Sequence, residues 1–164
     1  MYVMGGEPEQ KSTRGRCEVI KKSPAENRKF AELEKAVANE LLATPGNSVA
    51  LLGEAKVAVK AYKDLSKNLT KDEYFKYLVS LIDTPRDVWK IINQPMLVYK
   101  ADEDKKDLLF PPEEILARGF GDCDNISWTA KKLLDALGCK NGHDYKAKVI
   151  AYGNHAVCVF RDLD

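Results

Sequence analysis

The sequence predicts an α+β chain whose first half is helical and whose second half sets one long helix against an antiparallel hairpin. Capped apolar periodicities near 3.6 residues recur up to about residue 95. A sustained helical stripe then begins at Cys123. Two runs alternating at period two follow it, separated by Gly153-Asn154.

Residues 1–22 are polar and lack periodicity, so they are expected to be a disordered arm. Its basic residues Lys11, Arg14, Arg16, Lys21 and Lys22 read as a solvated cluster. Ser23-Pro24-Ala25-Glu26 combines a capping box with proline at the first helical position. Phe30, Leu33, Val37 and Leu41 carry that helix until Thr44-Pro45-Gly46 stops it. A second helix is expected over 48–66, a third over about 71–82 behind Thr70-Lys71-Asp72-Glu73, and a short fourth from Thr84-Pro85-Arg86-Asp87. Residues 23–95 thus form a helical extension, and 96–164 form a core that extends back to near 78 on the widest reading.

After Pro95 the segment MLVYKADEDKKDLLF reads as an extended piece and an acidic loop. DEDKKD lacks the glycine and distal glutamate of a hand-type calcium loop, so a solvated turn is expected. Pro111-Pro112-Glu113-Glu114 starts a brief helix that ends at Gly119. The next helix is expected to run from Cys123 to Leu137, with Gly138 as its stop. Ile126, Ala130, Leu133, Leu134 and Leu137 form its apolar stripe, and Cys123 falls on the same face. YKAKVIAY and HAVCVF are the strands on which that face packs.

The chain of 164 residues holds 26 basic and 25 acidic residues, a formal charge of +1, which gives no electrostatic argument for nucleic acid or an anionic membrane. No apolar run reaches the roughly 18 residues of a membrane helix, and MYVMGGEPEQ lacks signal-peptide character, so a soluble, cytoplasmic chain is favoured. Cys17, Cys123, Cys139 and Cys158 have no regular spacing, which argues against a disulfide scaffold and for a reducing compartment.

GFGDCDNISW holds the chemistry. A helix start offers free N–H groups and about half a positive charge, which favour thiolate over thiol. Asp122 is suited to cap those N–H groups, while Gly119 and Gly121 permit a tight turn and a close approach to substrate. A nucleophilic thiol needs a base, and the chain has two histidines. His143 lies in the loop CKNGHDY; His155 begins the last strand, where packing against the Cys123 helix would bring imidazole to sulfur.

PPEEILARGFGDCDNISWTAKKLLDALG followed by HAVCVF resembles the transglutaminase-like cysteine peptidase superfamily, especially its small bacterial and phage members. The resemblance runs from about 97 to 160 and covers at most half of the chain. It implies a papain/transglutaminase-like core, Cys123 as nucleophile, His155 as general base, a protein or peptide substrate, and no metal or organic cofactor. It also implies a third residue, Asp or Asn, on the strand after the histidine strand. The position opposite His155 would fall near 170, so either the piece is truncated or Asp162, Asp164 or a more distant residue substitutes, with Asp164, the last acid of the sequence, first among them. The Cys123 N–H is a candidate oxyanion donor with no side-chain partner assigned, since Leu109-Phe110 precedes Pro111 and Trp89 lies much earlier.

The expected activity is thiol-dependent acyl transfer on an amide, with hydrolysis ahead of transglutaminase-type amine transfer. An inactive interaction module with a partner on the N-terminal helices is a different class. A zinc site from Cys139, His143, His155 and Cys158 is opposed by the strand, because residues three apart leave opposite faces.

Overall fold

The computed structural model describes residues 2–3, 17, 20–42, 66–93, 96–101 and 109–161. The described elements are β1 (Tyr2–Val3), α1 (Pro24–Leu42), a 3-10 turn (Ser66–Asn68), α2 (Lys71–Leu81), α3 (Pro85–Ile92) and β2 (Val98–Tyr99). They continue with α4 (Pro112–Arg118), β3 (Phe120–Gly121), α5 (Cys123–Asn141), β4 (Lys148–Tyr152) and β5 (His155–Val159). The chain is thus mixed helix and sheet, as the periodicities predict. The helix expected over 48–66 lies outside the described residues except for Ser66, and the DEDKKD loop lies outside them entirely.

The caps form as their sequences demand. Glu26 N donates to Ser23 Oγ at 3.1 Å while Ser23 N donates to Glu26 Oε1 at 3.2 Å. Thr70 with Glu73 and Thr84 with Asp87 close the same reciprocal box at the starts of α2 and α3. Gly119, at φ +82°, ends α4 in the left-handed region, where a side chain would be strained.

Two ion pairs cross between α1 and α2, Lys29 with Glu73 and Lys76 with Glu26, each at 3.0 Å. The Lys76 hydrogen bond leads in holding the Glu26 carboxyl below its ordinary range, and the Thr70 N–H leads in doing so for Glu73. Further along, α4 is tied to α2 by Lys71–Glu114 and to α5 by Lys132–Glu113. Lys140 Nζ, near the end of α5, donates to the Val79, Ser80 and Ile82 carbonyls at 3.3, 3.2 and 2.6 Å, satisfying groups that the end of α2 leaves open.

One core runs through both halves. Phe30 and Leu33 of α1, Phe75, Tyr77 and Leu78 of α2, Ile91 of α3, Ile115 of α4 and Leu133 and Leu137 of α5 are buried together. The division expected at 95/96 therefore coincides with no gap in packing. Burying the apolar sides of α2 and α3 requires α4 and α5, which makes these helices part of the core.

α5 runs four residues past the Leu137 end expected for it, and its left-handed cap is Gly142 at φ +73°. Gly138 is helical, and its role is spatial: a Cβ there would collide with the His143 carbonyl oxygen. The hairpin forms with the expected two-residue turn, pairing Tyr152 with His155 and Ala151 with Ala156. Gly153 has φ +58° and Asn154 is not among the positive-φ residues, the sign pattern of a type II′ turn.

The first segment departs from expectation twice. Tyr2–Val3 pairs antiparallel with β4, giving the sheet order β1-β4-β5, so part of the arm expected to be disordered is a strand. Cys17 is disulfide-bonded to Cys139 across 122 residues, with Cα atoms 5.3 Å apart. Both facts depend on long-range proximity, which local spacing does not encode. Disulfides persist in oxidising surroundings, so the pairing argues against the reducing compartment expected.

Chain-entropy arguments assign a loop closed over 122 residues roughly 4–5 kcal/mol. Reduction, or Cys17→Ser, is therefore expected to lower the melting temperature markedly, and unreduced folded protein should offer two alkylatable thiols when its intact mass is measured. Because the Glu26 and Glu73 carboxyls are held low, their contribution is present above the ordinary carboxylate range and is lost as pH falls through it. Melting temperatures from about pH 5 to about pH 3 should thus fall less steeply in Glu26→Gln and Glu73→Gln than in the parent.

Candidate functional site

Cys123 is the first residue of α5 and is half-buried. The strand before it, β3, pairs in parallel with β2, Val98 with Phe120 and Tyr99 with Gly121. Lys100 N donates to the Gly121 carbonyl at 2.8 Å. This short ladder fixes the backbone that delivers the cysteine.

Asp122 caps the helix as its sequence position suggests. Its Oδ1 accepts from Asn125 N at 3.2 Å and from Asn125 Nδ2 at 2.9 Å. Asn125 is fully buried, and its Oδ1 accepts the Phe110 N–H at 3.0 Å. One amide thus joins the incoming loop, the cap and the first helical turn. Gly121 serves this packing, since a Cβ there would lie 2.9 Å from the Asn125 Cβ. Ser127 Oγ donates to the Cys123 carbonyl at 2.6 Å and Thr129 Oγ1 to the Asn125 carbonyl at 2.8 Å, which completes the polar spine of the first two turns.

Sequence reasoning credited Gly121 with approach to a substrate and passed over Asn125. The signal was a polar residue inside a helical pattern, two positions after the cysteine and on the buried side. Trp128 was passed over too: its Nε1 is buried with no hydrogen-bond partner among the described residues.

His155 opens β5, is exposed, and packs its ring edge-on against Tyr152 with centroids 6.0 Å apart. β5 lies against α5. Ala156 is buried, and Cys158 packs on the core facing Lys131 and Asp135 of α5. By the alternation of a strand, His155 leaves the opposite face of the sheet, together with Val157, Val159 and its partner Tyr152.

The level of His155 along the helix follows from the same contacts. Arg161 N donates to the Tyr145 carbonyl, and Tyr145 abuts Gly138, so β5 runs toward the C-terminal end of α5. His155, at the opposite end of β5, therefore lies toward the N-terminal part of α5. The thiol and the imidazole share one end of the helix–sheet pair, and no hydrogen bond joins them among the described residues. Asp162 and Asp164 lie outside the described residues.

The remaining thiols are accounted for. Cys139 is consumed by the disulfide, which removes it from the zinc set in this state. Burial, aided by Asp135 and opposed by Lys131, pushes the Cys158 thiol up to about 11. His143 is exposed on the loop after α5, as expected, with its ring 6.1 Å from that of Tyr145. Trp89 is 60% exposed on α3 and belongs to no part of this site.

No protein-family model, curated protein or solved structure matches the chain.

Asn125→Ala removes the acceptor for Phe110 N–H and a donor to Asp122 in a fully buried setting. A loss of about 2–3 kcal/mol in denaturant unfolding is expected. Gly121→Ala should destabilise too, because the Asn125 Cβ it would press on belongs to the side chain that anchors the helix start.

Proposed function

We propose that the chain is a transglutaminase-like thiol enzyme that cleaves an amide or peptide bond through Cys123 and His155. The observation that carries the reading is the presentation of Cys123. It is half-buried at the start of a 19-residue helix, beside a cap and amide framework that holds the turn, and His155 opens the strand at its end away from the helix C-terminus. The motif resemblance supplies the roles.

In the proposed reaction His155 takes the thiol proton, and Cys123 Sγ attacks the carbonyl carbon of the amide. The tetrahedral oxyanion is met by the Cys123 backbone N–H at the helix start. Collapse breaks the C–N bond, and the amine leaves with the proton returned from His155. Water, activated by the same imidazole, hydrolyses the thioester to a carboxylic acid and restores the thiol. An amine in place of water would give transamidation. The imidazole must swing round the end of β5 to act. Its position beside the Gly153-Asn154 turn favours that movement, and catalytic hydrogen bonds often tighten only with substrate bound.

The inactive interaction module is the second reading. It is favoured by the opposite-face placement of His155, which leaves the pair unformed.

Iodoacetamide labelling across pH separates the two. An enzyme's Cys123 should react well below pH 7. Cys158, pushed up to about 11, serves as the slow internal comparison. In an enzyme His155→Ala should carry the reactive limb of the Cys123 profile up toward that of an ordinary thiol, and Cys123→Ala should abolish turnover of a peptide library. A Cys123 profile that is ordinary and indifferent to His155→Ala would establish the module instead.

A further inference from the structure

We propose that Arg118 is the anchor for a carboxylate on the substrate, so that the enzyme proposed above acts on acidic peptides. The inference rests on that reading for its catalytic meaning, and on separate observations for the binding site.

The Arg118 guanidinium lies over two rings at once, with Cζ 4.3 Å from the Phe110 centroid and 4.4 Å from that of Phe120. Its Nε donates to the Phe120 carbonyl at 2.9 Å. Ring contacts and one hydrogen bond thereby set its orientation, and no ion pair or further hydrogen bond holds its terminal nitrogens among the described residues. Among the described residues, the acids nearest in sequence are engaged elsewhere: Glu113 pairs with Lys132, Glu114 with Lys71, and Asp122 and Asp124 with Asn125. An arginine held in this way keeps a planar pair of N–H donors whose natural complement is a carboxylate bound through both oxygens.

The surroundings fit such a ligand. Lys100 Nζ stands 5.0 Å from the Phe120 ring centroid, so a second positive charge lies on the same ring. Stacking on aromatic rings keeps the guanidinium ordered while free, so little further ordering opposes binding.

Its distance from the chemistry is bounded by the chain. Phe120 and Cys123 are three residues apart, so the carbonyl that orients Arg118 lies within about 10 Å of the Cys123 Cα. An extended substrate covers that span with about three residues. The acidic side chain, or a terminal carboxylate, would therefore sit within about four residues of the scissile bond.

Two measurements on the intact, oxidised chain test this. The first follows the Arg118 Nε–Hε resonance by NMR during titration with N-acetyl-glutamate amide and with N-acetyl-glutamine amide. A saturable shift with the glutamate compound alone, absent in Arg118→Gln and weakened in Arg118→Lys, is expected. Equal responses to both compounds, or none to either, would overturn the proposal.

The second compares kcat/KM for peptides that differ only by Glu or Gln at these positions. A preference for Glu of about ten- to hundredfold is expected, falling toward unity in Arg118→Gln. Equal rates on the two peptides in the parent would overturn it as well. Selective titration without turnover of any peptide would strike down the catalytic reading and leave the carboxylate site standing, so the two failures are distinguishable.

Discussion

Everything near Cys123 depends on one buried carboxamide. Asn125 accepts from the loop that brings the chain to α4, donates to the residue that caps α5, and crowds Gly121 closely enough to exclude a side chain there. Paired on both its oxygen and its nitrogen, the amide avoids the heavy cost of burying an unmatched polar group. The cysteine's position is therefore a by-product of satisfying Asn125, and Sγ inherits its placement from a buried residue two positions further along the helix.

Local signals in the sequence proved legible because they are local in cause. A reciprocal Ser23/Glu26 box, the Thr70 and Thr84 caps, the left-handed Gly119 and the hairpin at Gly153-Asn154 each depend on a few adjacent residues, and each formed where its pattern stood. Gly138 misled for a reason of the same kind: glycine suggests a stop, yet here the missing Cβ admits the returning His143 carbonyl, a partner supplied by the fold. The pairing of Cys17 with Cys139, the strand at Tyr2–Val3 and the clamping of Arg118 by two rings come from distant segments or from side-chain placement, and spacing does not announce them.

The candidate site was legible in outline only. Its helix, its cysteine at the first position and its Asp122 cap could be read from GFGDCDNISW, and the strand opening at His155 from the alternation of HAVCVF. The pleat was the harder matter. Once Ala156 and Cys158 turn toward α5, the histidine between the turn and Ala156 must leave by the other face, so a strand that brings its backbone to the helix carries its imidazole away from it. Element order decides which segments meet, and a shift of one residue in phase decides which side chains do.

The bond from Cys17 to Cys139 also changes what a cut in the polypeptide would accomplish. Cleavage of any single peptide bond between those two positions yields two pieces that remain one molecule, joined through sulfur. A protease could therefore sever the early helices from the thiol-bearing half without setting them free. Their departure would wait on an electron donor, which makes the redox state of the surroundings, more than the cut itself, the event that releases the first part of the chain from the last.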